Sequence, residues 1–236
     1  MTEMLSLFYF KTVLKYRYIV MKIELNIPNE LSEITLDQYQ RYIKIQDKET
    51  DEKFLQTKML EIFCNIKLTD TLQMRLKDVA AIIDILTEMF DSKPKLVQKF
   101  KMKGVEYGFI PNLDEISLGE YIDLDTYMGD WENMHRALAV LYRPIKQKYG
   151  ERYNIEEYKV TDGEVMKDMP MDAVISSVLF FYHLGIDLSQ AMMNYLEDSQ
   201  ETRLVQYLSS DKNGVGINLY MHSLKEILQD LKISLN

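Results

Sequence analysis

A short phrase occurs twice in this chain, and each copy dictates the same local path. Ile27-Pro28-Asn29-Glu30-Leu31-Ser32-Glu33-Ile34-Thr35-Leu36-Asp37-Gln38-Tyr39 returns, one residue shorter, as Ile110-Pro111-Asn112-Leu113-Asp114-Glu115-Ile116-Ser117-Leu118-Gly119-Glu120-Tyr121. Pro28 and Pro111 push the isoleucine before them toward extended backbone, so each copy predicts a strand end at Ile27 and Ile110. Thr35 and Ser117 then stand three residues before Gln38 and Glu120, the spacing of a capping box at a helix start. Tyr39 and Tyr121 follow and are expected to open the buried face of each helix. Duplication and convergence of a common strand-turn-helix motif both predict this structure, over about residues 21–45 and 102–127.

No side chain matched between the copies carries chemistry, so composition has to bound the function classes. The chain has 236 residues, 47% of them hydrophobic, enough for a sizeable core. Its net charge is −9; Lys11, Lys15, Arg17 and Glu3 make residues 1–20 net positive, so the acidity lies downstream. Such a balance argues against nonspecific nucleic-acid binding, which needs dense Lys and Arg to displace counterions, and suits a basic protein partner. The single cysteine, Cys64, sits among Ile62, Phe63 and Ile66 and reads as a buried filler. Its solitude excludes an intramolecular disulfide framework and fits a reducing cytoplasm.

Residues 1–20 are aromatic-rich and interrupted by Lys11, Lys15 and Arg17. Their longest uncharged run, Met4 to Phe10, is too short to span a bilayer. They read either as an interfacial anchor or as a translated leader with the true start at Met21. The leader reading is preferred, because Met21-Lys22-Ile23-Glu24 opens the first repeat as a natural N-terminus would. Residues 21–236 then form a single α+β domain.

Periodicity makes that domain predominantly helical, with short strands or hairpins at about 22–27, 97–110 and 145–158 packed against a multi-helix core. Helices are predicted over Leu36–Ile45, Phe54–Phe63, Val79–Phe90 and Trp131–Tyr142, with a less defined one over Glu120–Tyr127. Met171–Leu184 is apolar on more than one face, as a central core helix should be. Gly185 predicts a break or kink before Leu188–Leu196, and a last amphipathic helix is predicted over Ile217–Ile233. Met192, Met193 and Tyr195 read as core or as an adaptable contact surface.

A search for chemistry finds little. His135, His183 and His222 fall on three different predicted helices, none with a partner at ligand spacing. Glu132 and His135 form one Glu-x-x-His pair, which reads as a surface salt bridge because a di-iron site needs two such pairs. His183 reads as a hydrogen-bonded core residue. No nucleophile elbow or phosphate loop occurs, and Gly214-Val215-Gly216 is an isolated fragment. No catalytic, metal or cofactor residue is therefore assigned. Carboxylates gather at Asp114, Glu115, Glu120, Asp123, Asp125 and Asp130 without the fixed spacing of a calcium loop. They read as a solvated face, with Asn133, Arg136 and Arg143 available to pair locally. Asp123, Asp125 and Asp130 are the candidate partner-binding residues.

The run from Phe109 to Asp125, followed by Ala139-Val140-Leu141-Tyr142-Arg143-Pro144-Ile145, resembles proteins encoded among the virion genes of crAss-like and related gut tailed phages. The resemblance extends from Met21 to about Leu196, with a vaguer tail through Asn213-Gly214 and the last helix. Residues 1–20 fall outside it. Residues 22–39 also resemble, more loosely, the N-terminal part of phage tail and baseplate assembly proteins. The resemblance implies a non-enzymatic morphogenesis protein, a tail-assembly chaperone or a tail or baseplate assembly factor. It would bind phage tail or capsid proteins in the host cytoplasm, with neither nucleic acid nor membrane as partner. The alternative it implies is a structural or capsid-packaged virion protein. An enzyme is the third class, and would need a catalytic constellation assembled by folding from scattered residues. No residue roles come with the resemblance, and oligomeric state is left open.

Overall fold

A computed structural model describes the backbone of residues 27–198 and the side chains of residues 27–186. The expected strand at 22–27 (apart from Ile27, which is irregular), the 1–20 extension, the last helix at Ile217–Ile233 and His222 lie outside the described residues. So do Gly214-Val215-Gly216 and the side chains of Met192, Met193 and Tyr195.

The first copy of the phrase forms a 3-10 turn at Leu31–Glu33 and then helix α1, Leu36–Gln46. The predicted capping box closes as written: Gln38 N donates to Thr35 Oγ1 at 3.3 Å, and Thr35 N donates to Gln38 Oε1 at 2.9 Å. Both bonds satisfy amides that a helix start would otherwise leave open. Helix α2, Glu52–Phe63, is capped by Asp51, whose Oδ1 accepts from Lys53 N and Phe54 N. A single turn, α3 (Leu68–Thr71), leads into α4, Leu76–Phe90. Tyr39, Phe63, Phe90 and Trp131 interlock between these helices, with neighbouring ring centroids 4.7 to 5.5 Å apart.

An antiparallel hairpin follows, β1 (Lys99–Met102) and β2 (Val105–Phe109), joined at Lys103-Gly104. The second phrase gives a 3-10 turn at Leu113–Glu115 and helix α5, Leu118–Tyr127. Helix α6 spans Met134–Leu141 and passes directly into β3, Tyr142–Tyr149, which pairs with β4, Arg152–Ile155. The sheet order is β1-β2-β3-β4. Helix α7, Met171–Asp198, runs through the core, with Ala173, Val174, Ile175, Ser176, Ser177 and Val178 all buried. The two serines satisfy their hydroxyls on helix carbonyls, at Ala173 and Val174. The chain is thus α+β, and its buried apolar side chains form one cluster reaching from Leu31 to Phe181.

Tyr153 ties the two hairpins together. Its hydroxyl donates to Phe109 O at 2.8 Å, and its ring lies flat enough on Gly108 that a Cβ there would meet it at 2.4 Å. Only glycine allows that approach.

Several sequence expectations need correction. The second hairpin begins at Tyr142 and ends at Ile155, so it covers 142–155 rather than 145–158. Pro144 sits within β3, where its carbonyl accepts from Glu156 N. The predicted helix at Trp131–Tyr142 starts three residues late, because Trp131 belongs to a turn that Asp130 organises. Of the break or kink expected at Gly185, the break does not occur, since α7 runs on through it: one helical glycine costs only about 1 kcal/mol against alanine. Tyr121 is exposed, unlike its counterpart Tyr39.

Candidate interaction face on the second repeat

Helix α5 is held on two sides and open on the third. Its capping box is complete: Glu120 N donates to Ser117 Oγ at 3.3 Å, while Ser117 N and Oγ donate to Glu120 Oε2 at 2.8 and 2.7 Å. The other carboxylate oxygen of Glu120 pairs with Arg143 Nη2 on β3 at 2.7 Å, and both side chains are largely buried. The residue that starts the helix therefore also fastens it to the sheet. Burial by itself would raise the Glu120 carboxyl, but the Ser117 donors and the Arg143 guanidinium outweigh it and hold the group below its ordinary value.

On the next flank, Tyr158 packs its ring against Gly119 and donates its hydroxyl to Asp123. That bond, aided by burial, pushes the phenol up to about 12. Leu124 points inward, and the Arg136 guanidinium stacks on the Tyr127 ring at 5.2 Å.

The remaining face carries Leu118, Tyr121, Ile122 and Asp125, at positions i, i+3, i+4 and i+7 and so aligned on one side of the helix. Leu118 is 74% exposed, Tyr121 57% and Ile122 51%. The equivalent positions of α1 are Leu36, Tyr39 and Ile43, exposed by 0%, 4% and 8%. Counting from the two caps, Asp125 stands where Ile43 stands. The same phrase thus presents one inward and one outward copy of a single helix face. Three large apolar side chains thus lie adjacent on one exposed helix face, with Asp125 at its C-terminal end.

The three candidate acids are not brought together. Asp125 is exposed on the open face. Asp123 is engaged by Tyr158 on the neighbouring flank. Asp130 lies beyond the helix and caps the turn into α6, accepting from Glu132 N at 2.8 Å and Asn133 Nδ2 at 2.6 Å. The apolar trio Leu118, Tyr121 and Ile122 escaped the sequence reading. The available signal was the isoleucine-to-aspartate difference between the copies, which removes one apolar residue from the stripe.

The histidines also differ from expectation. His135 is buried rather than on the surface: Gln40 Nε2 lies 3.4 Å from its Nδ1, and Glu164 Oε1 lies 3.4 Å from its Nε2. Glu132 instead pairs with Lys44 at 2.7 Å. Burial first, then the Lys167 charge, pushes the His135 imidazole below its ordinary value. Gln40 also donates to Trp131 O at 2.7 Å, so this buried group joins α1 to the turn before α6. His183 is exposed, with Nδ1 2.8 Å from Leu179 O. Cys64 is buried as expected, which raises its thiol to about 11.

Among the described residues, no group of three or more His, Cys, Asp or Glu side chains is placed to hold a metal ion, and no helix is long and apolar enough to cross a membrane. No protein family, curated protein or solved structure matches the chain.

Proposed function

We propose that this chain is a non-enzymatic morphogenesis protein of a tailed phage. Its most direct role is as a tail-assembly chaperone or a tail or baseplate assembly factor, acting by binding another phage protein. The observation that carries the reading is the outward face of α5, where exposed Leu118, Tyr121 and Ile122 lead up to Asp125 on a helix clamped from behind by Glu120 and Arg143. The stretch that resembles virion-gene proteins, Phe109 to Asp125, contains this face entirely. Aromatic and aliphatic anchors on a rigid element are the usual source of binding energy at an interface. The partner is a tail or capsid protein with an apolar patch and a basic group opposite Asp125.

The test is affinity capture from phage-infected cells, comparing the wild-type chain with a Tyr121→Ala/Ile122→Ala variant. The expected result is recovery of a tail or capsid protein with the wild type and its loss with the variant. Recovery of the same phage proteins by both would refute the assignment of this face. Mass spectrometry of purified particles then separates the two roles. A chaperone is far below stoichiometric amounts in particles, whereas an abundant chain would be a structural or capsid-packaged virion component.

A further inference from the structure

A second opening lies on the far side of the aromatic core, between α1, α2 and α4. It has a volume of about 260 Å³ and its apolar lining includes Tyr39, Met59, Ile83 and Phe90. Exposed Glu52 and Asp91 line its mouth, and none of its lining residues is Lys or Arg. Half-buried Tyr42 also lines it, and its hydroxyl makes no hydrogen bond with any described residue. Burial raises that phenol, so the hydroxyl stays protonated and is available as a donor.

Size and charge together narrow the occupant. A cavity of about 150 Å³ lined by aliphatic and aromatic groups is enough to hold benzene, so this one has room for a single large side chain. It falls below the range of about 300–1,000 Å³ typical of sites for whole small molecules. Two carboxylates at the mouth, with no cation among the lining residues, favour a positively charged flank on whatever enters. We propose that this cavity is a socket for one bulky apolar side chain, aromatic or leucine-sized, from a partner protein segment bearing Lys or Arg beside it. The inserted group desolvates against Met59, Ile83 and Phe90, the Tyr42 hydroxyl donates to a backbone carbonyl of the incoming segment, and Glu52 and Asp91 meet its basic flank.

The probe is an acetylated, amidated heptapeptide, Lys-Ala-Lys-Phe-Lys-Ala-Lys, titrated onto the full-length chain by fluorescence anisotropy. Replacing its Phe by Ala should weaken binding about tenfold or more, and replacing its Lys residues by Glu should abolish it. Thr87→Trp, which fills the cavity from its rim, should weaken the parent peptide to the same degree. Gln56→Phe serves the same purpose if thermal melting shows that Thr87→Trp is unfolded. Glu52→Gln with Asp91→Asn should lower affinity and flatten its salt dependence. A photo-crosslinking residue at position 56 should label the peptide. Equal binding of the Phe and Ala peptides, unchanged binding by a folded cavity-filling variant, or no binding at millimolar peptide would overturn the proposal. Cross-links within the same chain, to residues 1–26 or 199–236, would overturn it too, by showing that the chain fills its own cavity. None of these results bears on the α5 face, which lies on a different helix and is tested by different variants.

Discussion

Replacing Glu120 by glutamine isolates the charge that fastens α5 to the sheet. The amide can still accept from Ser117 N and Oγ, so the capping box survives in kind, while Arg143 loses its counter-ion. Side-chain exposure is 12% for Arg143 and 7% for Glu120, and Arg143 Nε is buried without a hydrogen-bond partner among the described residues. The guanidinium therefore has little recourse to water. Removing one partner of a buried pair costs about 3–5 kcal/mol, and the residual exposure places Glu120→Gln at the low end, about 3 kcal/mol. Arg143→Met should cost less, because the stranded carboxylate keeps its two Ser117 donors and can take up a proton. In the double variant neither charge remains, so its cost should fall short of the sum of the singles by about 1–3 kcal/mol.

The pH dependence provides an independent check. The folded-state pKa of Glu120 is depressed. Its contribution to stability is therefore fully present above the unfolded carboxyl value, about 4.3. It is lost as pH falls through the folded value. Urea titrations at pH 7 and across pH 5 to 3 would show a steeper acid loss for the wild type than for Glu120→Gln. A cost below about 1 kcal/mol at pH 7, or additive singles, would show that the pair does not fasten the helix.

Three further outcomes are expected. Thr35→Ala and Ser117→Ala should each cost about 0.5–2 kcal/mol in denaturant titration, and silence of both would contradict the hydrogen bonds at these two caps. Gly163→Ala should cost about 2 kcal/mol or more by thermal melting, because Gly163 has φ +68° and a Cβ there would lie 2.7 Å from His135 O; a neutral result would refute that close approach. Asp125→Asn should slow association with a captured basic partner at low salt and leave stability unchanged. Asp130→Asn should lower stability, since both oxygens accept hydrogen bonds, from Glu132 N and Asn133 Nδ2, and an amide can replace only one of them; equal effects on both readouts would erase the distinction between the two acids.

Local chemistry was legible in the sequence, and long-range packing was not. Both capping boxes could be read because their partners lie three residues apart, and the first hairpin because Gly104 and Gly108 punctuate an alternating run. Ala139-Val140-Leu141-Tyr142 is an apolar run that suits either a helix or a buried strand. Its conversion at Tyr142 is decided by pairing with Phe109 on β2. Asp123 reads as a free surface acid until Tyr158, thirty-five residues away, is folded over Gly119 to reach it. Likewise, Glu132 and His135 share a helical spacing, yet their side chains meet Lys44 and Gln40 instead, 88 and 95 residues upstream.

The repeated phrase shows most clearly why local rules do not fix function. Its two copies have the same turn and the same cap, so their helices start alike. The first copy continues as Leu36, Tyr39 and Ile43, and burial of that stripe against Phe90 and Trp131 forms part of the core. The second continues as Leu118, Tyr121 and Asp125. A carboxylate at the third position would cost several kcal/mol if the stripe were buried without a counter-charge. Among the differences between the copies, that one is enough to bar the second helix from packing as the first does. Fastening therefore falls to Glu120 on the opposite side, whose pairing with Arg143 turns Leu118, Tyr121 and Ile122 toward solvent. An apolar face left open by one acid can be covered by a partner that supplies a base at that point, and should reject a partner that supplies another acid.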